Sequence, residues 1–546
     1  MRLIRILSGI SIAALCAWAQ SENKLASVKG VVLNSVTGEP VTKAIVMLMQ
    51  SSTSDRSSQQ ATVYSFSANA AGEFAFKGVE PGSYRLTATR RGFMAPTPTG
   101  SGRFSTGLIV KLASGDDLAQ VKLTLIPQGI ISGRILDSDG EPFQQVQIHA
   151  LRLRWIDGLK VLAPAGFVET NDLGEYRIRE LGAGRYYIAA VETHPDSMFA
   201  GTNHISKDAA LLAYPPMYFP GVTDIGAAMA VEVAAGASRQ GVDIRMVKAV
   251  GRRVSGRIVV PAGMKLPRTY VALQAGAADD VSPRALQTAV VTTGNGTTAF
   301  EFHAVFPGRY VLRSDSEESK YYVQVPLDVG DQDIDGLQLP LQPFIKMAGR
   351  IRWDGEKRTE GAATPVIRLD QSRIGQFSES EGHNPFEFLE LTPQQTRIRI
   401  EGASPQDYVK SMVYGNEPVV NELINVIEGP ELEIVMRRGA ASVEGTVDAG
   451  DDGPGANATV VLVPADEAKR ESLSMHHQTA SDQNGHFEIR GIAPGEYVLF
   501  AFDSIETGSW FDPEFLTQYE KRGERFKLEE KDHESKKLTL IRMANR

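Results

Sequence analysis

Five glycines, Gly30, Gly133, Gly256, Gly349 and Gly445, each follow a short or polar residue at the start of an apolar run, as in Ser132-Gly133-Arg134-Ile135. They lie 103, 123, 93 and 96 residues apart. A pattern that recurs at the spacing of one small β-sandwich restricts the chain to a tandem array of such units.

Each glycine is followed by a second phrase: a glycine, alternating apolar residues, then a turn and a tyrosine. The first copy is Gly72, Phe74, Phe76, Val79, Pro81, Gly82, Tyr84, and the second is Gly174, Tyr176, Ile178, Leu181, Gly184, Tyr186. The last is Gly485, Phe487, Ile489, Ile492, Pro494, Gly495, Tyr497, while Phe300, Phe302, Val305, Pro307, Gly308, Tyr310 has Thr298 in place of the leading glycine. A worn copy reads Thr396, Ile398, Ile400, Ala403, Pro405, Tyr408, with Gln406 in the glycine slot.

The phrase reads as a folding device. Asp172 before Gly174, and Asn484 before Gly485, favour a turn that needs positive φ. Alternation puts Phe487 and Ile489 on one face of a strand. Pro494-Gly495 reverses the chain, and Tyr497 is expected to bury its ring at the sandwich edge while its hydroxyl finds a backbone partner.

In the last unit the pattern predicts strands at Ser442–Val447, Ala456–Val463, His476–Ala480, Phe487–Arg490, Tyr497–Phe502, Arg525–Leu528 and Leu538–Ile541. Seven strands suit a two-sheet sandwich. The expected fold is therefore all-β: about five seven-stranded modules at 20–127, 128–249, 250–342, 343–438 and 439–546. Gly129, Gly251 and Gly439 mark the seams, and with no long linker the units read as closely coupled beads.

Residues 1–19 read as a signal peptide: Arg2 and Arg5, an apolar run from Leu3 to Leu15, then Ala17-Trp18-Ala19. Cys16, the one cysteine, lies within it, so disulfides, thiolate metal sites and a cysteine nucleophile are excluded from the remainder. The formal charge of −9 and the lack of a basic stripe argue against nucleic acid. No later segment is apolar enough to span a membrane. A secreted or periplasmic protein is expected.

The phrases, with openings such as Gly133-Arg-Ile-Leu-Asp-Ser-Asp-Gly140-Glu-Pro142, resemble the carboxypeptidase regulatory-like domain. The resemblance implies a transthyretin-like sandwich grouped with carbohydrate-binding-like folds, and it specifies a fold more strongly than an activity. It is good for the first, second and fifth units, fair for the third and weak for the fourth. The zinc peptidase unit that this domain accompanies elsewhere is not visible.

Motifs for catalysis are missing. None of the nine histidines has glutamate three residues on, and neither His-Glu-x-x-His, a Gly-x-Ser-x-Gly elbow nor a Walker loop occurs after the leader. His476 and His477 read as ordinary surface and edge residues. Asp331, Asp333 and Asp335 begin like a calcium loop, but Gln342 stands where the bidentate glutamate belongs; the alternative is an acidic turn into a strand. Sugar binding needs exposed rings, for which Trp155, Trp353, Trp510 and Tyr218 are the candidates; each equally suits an edge of the core.

The expected function is a non-catalytic extracytoplasmic binder or scaffold without cofactors, acting on polysaccharide or an envelope protein. Carbohydrate is the ligand class that the resemblance implies. The rivals are a protein-binding adhesion or assembly factor, and an envelope hydrolase with its site at a module junction near Tyr214–Gly221. Function is sought where the copies differ: the insertion His194–Ala230, the turn at Asp331, and the tail from Trp510 through a short helix opened by Asp512 and Pro513.

Overall fold

A computed structural model describes residues 24–51, 62–96, 107–156, 158–192, 212–260, 269–275, 288–293, 298–315, 321–355, 365–369, 378–380 and 385–543. The expected leader, Cys16 and the first part of the His194–Ala230 insertion lie outside them. The described chain is all-β apart from short 3-10 turns and one α-helix, Pro513–Tyr519. No helix among the described residues is long and apolar enough to cross a membrane.

Every module repeats one plan of two packed sheets. An opening strand lies between a phrase strand and a closing strand in one sheet. The second sheet places the strand that carries the tyrosine, or Thr396 in module 4, between two others. The opening strands are Ala26–Asn34, Gly129–Leu136, Arg252–Val259, Ile345–Asp354 and Ala441–Asp448. The phrase strands are Glu73–Val79, Glu175–Leu181, Ala299–Val305, Phe386–Leu391 and His486–Ile492. Each module has its own apolar core between its sheets.

The five spaced glycines and the phrase aromatics are partners. Gly30 pairs across the strands with Phe74, Gly133 with Tyr176, Gly256 with Phe300, Gly349 with Phe386 and Gly445 with Phe487. A Cβ on any of these glycines would stand 1.8–2.8 Å from a carbonyl oxygen of the closing segment, and in four of the five an aromatic ring also stands within 3.0 Å. Glycine is required by close approach: the ring folds over the bare Cα, and the neighbouring backbone fills the other side.

The tyrosines behave as their position predicts. The hydroxyls of Tyr84, Tyr186, Tyr310 and Tyr497 donate to the carbonyl four residues back, of Glu80, Gly182, Phe306 and Ala493, at 2.7–2.9 Å. Their rings are buried, and burial holds the Tyr84 phenol up at about 12. Tyr497→Phe should cost about 1 kcal/mol, since one neutral hydrogen bond is lost without a change of shape. A shifted denaturant midpoint with unchanged slope would show it.

The fourth copy of the phrase is not where its alternation suggested. Phe386 and Phe388 occupy the positions of Phe74 and Phe76, Leu391 that of Val79, Pro393 that of Pro81, and Thr396 that of Tyr84. Thr396–Ile400 belongs to the next strand, Gln395–Glu401, and Tyr408 to an added hairpin, Asp407–Tyr414 with Glu417–Pro418, on the outer edge of the closing strand. One further constant was hidden from sequence. The residue before the last apolar position is left-handed in all five copies, as Gly78, Glu180, Ala304, Glu390 and Gly491, with φ from 55° to 77°. The strand register shifts there.

The turn before the phrase is ordered from a different residue than expected. Asn69, Asn171 and Asp482, three positions ahead of the glycine, accept from the amides two and four residues on at 2.8–3.1 Å. Module 5 has the expected seven strands, but its last is His533–Thr539, displaced from the predicted 538–541. Its polar outward positions hid an edge strand from the hydrophobic pattern.

Candidate functional site

Modules 2 and 5 each carry a second apolar layer outside the tyrosine sheet. In module 5 it is the tail: Trp510, Phe511, Phe515, Leu516 and Tyr519 cover Val461, Val463, Val498, Phe500 and Phe502. The helix starts as predicted, with Asp512 accepting from the Glu514 amide at 3.0 Å and Pro513 in the first turn. In module 2 the layer is the proline-aromatic loop, whose Tyr218 packs with Leu151, Leu162, Ala189 and Val191. That loop was expected at a junction. It instead covers its own module, with Tyr214 against Phe143 at 4.8 Å between ring centroids.

Module 5 is where the modules meet. In module 2 the hairpin Val146–Ile156 and Leu159–Glu169 is long, 11 residues per strand against six in the matching first strand, Ile45–Gln50, of module 1. Its far end reaches module 5. Arg152 donates to Glu506 at 2.8 Å, Lys160 lies 3.7 Å from Asp512, and Gly508 stands so close to Trp155 that a Cβ there would be 2.8 Å from the Trp155 carbonyl oxygen. Module 1 meets the phrase turn of module 5. Gln483 Nε2 donates to the Lys111 carbonyl at 2.9 Å, its Oε1 accepts from the Lys111 amide at 3.1 Å, and Lys111 pairs with Asp482 at 3.3 Å. Module 1 has eleven Lys and Arg against seven Asp and Glu, module 5 twelve against twenty, so the two are electrostatically complementary.

A further junction joins modules 4 and 5. Glu422 is buried with its backbone at φ 58°. Its carboxylate accepts from Ser472 Oγ at 2.5 Å, the Leu473 amide at 2.9 Å and Ser474 Oγ at 2.5 Å, capping the 3-10 turn Leu473–Met475. Arg397, also buried, lies 3.7 Å from it and donates to the carbonyls of Asn421 and Glu471 at 3.0 Å. Tyr408 donates to Glu530 at 2.7 Å, and Arg437 pairs with the same carboxylate at 3.0 Å. Chain separation placed these residues beyond any sequence motif.

The sequence candidates do not converge. Trp510 is buried and Trp353 packs on the core of module 4. Trp155 sits at the module 2–5 contact and Tyr218 is buried in module 2. Asp331 is exposed, 3.9 Å from the Arg252 guanidinium; Asp333 accepts from the Arg253 amide at 2.9 Å; Asp335 takes Arg253 at 2.9 and 3.2 Å and Ser255 at 2.7 Å. Among the described residues no three His, Cys, Asp or Glu form a group able to hold a metal.

His476 and His477 are half-buried, and His477 opens the edge strand His477–Ala480. The Nε2 of each is sealed from solvent without a hydrogen-bond partner. The His476 ring lies 4.4 Å from Phe511, and its Nδ1 bonds the Ser472 carbonyl at 2.7 Å. Burial holds both imidazoles at about 4, below their ordinary 6.5. The folded state favours the neutral rings, so their contribution is complete above pH 6.5 and is lost as pH falls toward 4. The melting temperature of the region should fall between pH 6.5 and 5, and His476→Gln with His477→Gln should flatten that slope.

Taken together, the repeated plan and these junctions define a tandem array of β-sandwich modules in which modules 1, 2 and 4 meet the last. Residues 27–125 match the carboxypeptidase regulatory-like domain, and module 1 is such a domain. No curated protein matches the chain. Solved structures of bacterial proteins show distant similarity to parts of the chain. The minor pilin GBS52 of Streptococcus agalactiae is 17% identical, over 43% of this chain and 99% of its own, with TM-score 0.24. The shaft pilin SpaA of Lactobacillus rhamnosus GG is 11% identical, over 44% and 99%, with TM-score 0.20. The Bacillus anthracis TIE protein is 10% identical over 94% and 73%, with TM-score 0.17.

Proposed function

We propose that this chain is a non-catalytic, extracytoplasmic scaffold in which module 5 holds modules 1, 2 and 4 in a fixed arrangement. The supporting observation is the set of junctions on module 5, where buried or paired side chains from three other modules end. The leader pattern supports the location. Gly508→Ala introduces a side chain at a left-handed residue, φ 86°, directly against Trp155. It should release module 2 and raise the radius of gyration in small-angle scattering; an unchanged radius would count against a gathered scaffold. Screens with polysaccharide and peptide substrates should show no turnover.

A second reading, glycan binding, is favoured by one residue that the sequence did not single out. Phe167 is 67% exposed and stacks on His149 at 6.0 Å, with Gln147 and Glu169 paired beside them on the same hairpin. An exposed ring flanked by an amide and a carboxylate is what a sugar face requires. Calorimetric titration with soluble glycans, repeated on Phe167→Ala, tests it: heat that persists in the variant rejects this surface.

A further inference from the structure

We propose that the modules are built to carry tension along the chain, a property independent of the scaffold reading above. In all five modules the opening strand is hydrogen-bonded in parallel to the closing segment. The chain therefore enters a module at one end of this pair and leaves at the other. Pulling on the chain slides the two strands past each other, so their hydrogen bonds are loaded together. Had the two been antiparallel neighbours, the same pull would peel them apart one bond at a time.

Three further observations fit this load path. The junctions leave no slack: one closing strand ends at Pro127 and the next opening strand starts at Gly129, and Arg438 is followed by a strand from Ala441. The opening strand is held on its other side by the phrase strand, through the glycine–aromatic pair. In each module a charged or polar side chain also bridges opening and closing segments. These are Lys29 with Asp117 at 3.1 Å, Asp243 with the Arg134 amide at 2.8 Å, Arg253 with Asp335 at 2.9 Å, Arg350 with Glu433 at 2.7 Å, and Lys537 with Asp448 at 3.1 Å. Each such pair is thermodynamically weak on the surface, yet all five lie across the sliding direction. The acidic turn that suggested calcium supplies one of them.

Single-molecule force spectroscopy tests this directly on the full chain, with Cys16→Ser and engineered handles in module 5. Ala440→Cys with Thr539→Cys pulls opposite ends of the parallel pair Ser442–Asp448 and His533–Thr539, loading it in shear; Ala440→Cys with His533→Cys pulls the same end and peels it. The shear pair should need several-fold more force. Equal forces in the two geometries would overturn the proposal. Wild-type chain held by its two ends provides a second readout. It should lengthen in separate high-force steps of roughly 300 Å per module, and smooth extension at low force would equally reject a load-bearing array.

Discussion

Gly445→Val is expected to unfold module 5. The first carbon of the new side chain would stand 1.8 Å from the Lys536 carbonyl oxygen and 3.0 Å from the Phe487 ring. The obstacle is backbone of the closing strand, which is itself paired along its length, so relief requires breaking the strand pair. Overpacking in a core costs about 1–3 kcal/mol, and a clash with fixed backbone should reach 4 kcal/mol or more. Chemical denaturation would show the last module lost at a lower denaturant concentration. Gly330→Ala supplies the contrast: nothing lies within 4 Å of its added carbon, so its midpoint should stay in place.

Glu422→Ala should have the second largest effect, and at a distance from any module core. It removes a buried carboxylate that takes three hydrogen bonds from module 5, and it leaves Arg397 facing a cavity. Breaking one partner of a buried ion pair costs about 3–5 kcal/mol. Because the loss falls on the junction, modules 4 and 5 should separate into two unfolding transitions where the wild type shows one. Glu428→Ala, in an exposed side chain of the same module, should leave the single transition intact.

How much was legible in the sequence follows from where each interaction is encoded. The glycine spacing and the phrase encode local geometry: a turn, alternation and a tyrosine four residues from its acceptor. These are short-range facts, and in four modules the phrase residues lie on the strands and turn that the pattern implied. In module 4 Asn384 stands in the slot of the leading glycine and Thr396 in that of the tyrosine, so the isoleucine alternation at 396–400 was the stronger signal and pulled the phrase twelve residues late. Tyr408 then looked like the missing tyrosine, although its hydroxyl serves Glu530 across a junction.

The junctions were not legible because their partners are far apart in the chain. Arg152 with Glu506, Lys111 with Asp482 and Glu422 with Ser472 obey no periodicity. Their residue types are the ordinary charged and polar residues of a soluble surface. The expectation of coupled beads therefore missed the return of module 5 to modules 1 and 2. The tryptophans misled for a related reason. Large rings suit a sugar platform and a core edge equally well, and only neighbouring atoms decide between them.

Native-state hydrogen exchange read amide by amide tests the central claim most directly: that five copies of one plan, each with an opening-strand glycine paired to a phrase aromatic and packed against the closing segment, make up this chain. The amides of opening strands 26–34, 129–136, 252–259, 345–354 and 441–448 are bonded on both sides, and within each module they should be among the slowest to exchange. Slow exchange at 345–354, together with 386–391, is the predicted result for the fourth copy. Rapid exchange at 345–354, with protection centred on 403–408 instead, would contradict it.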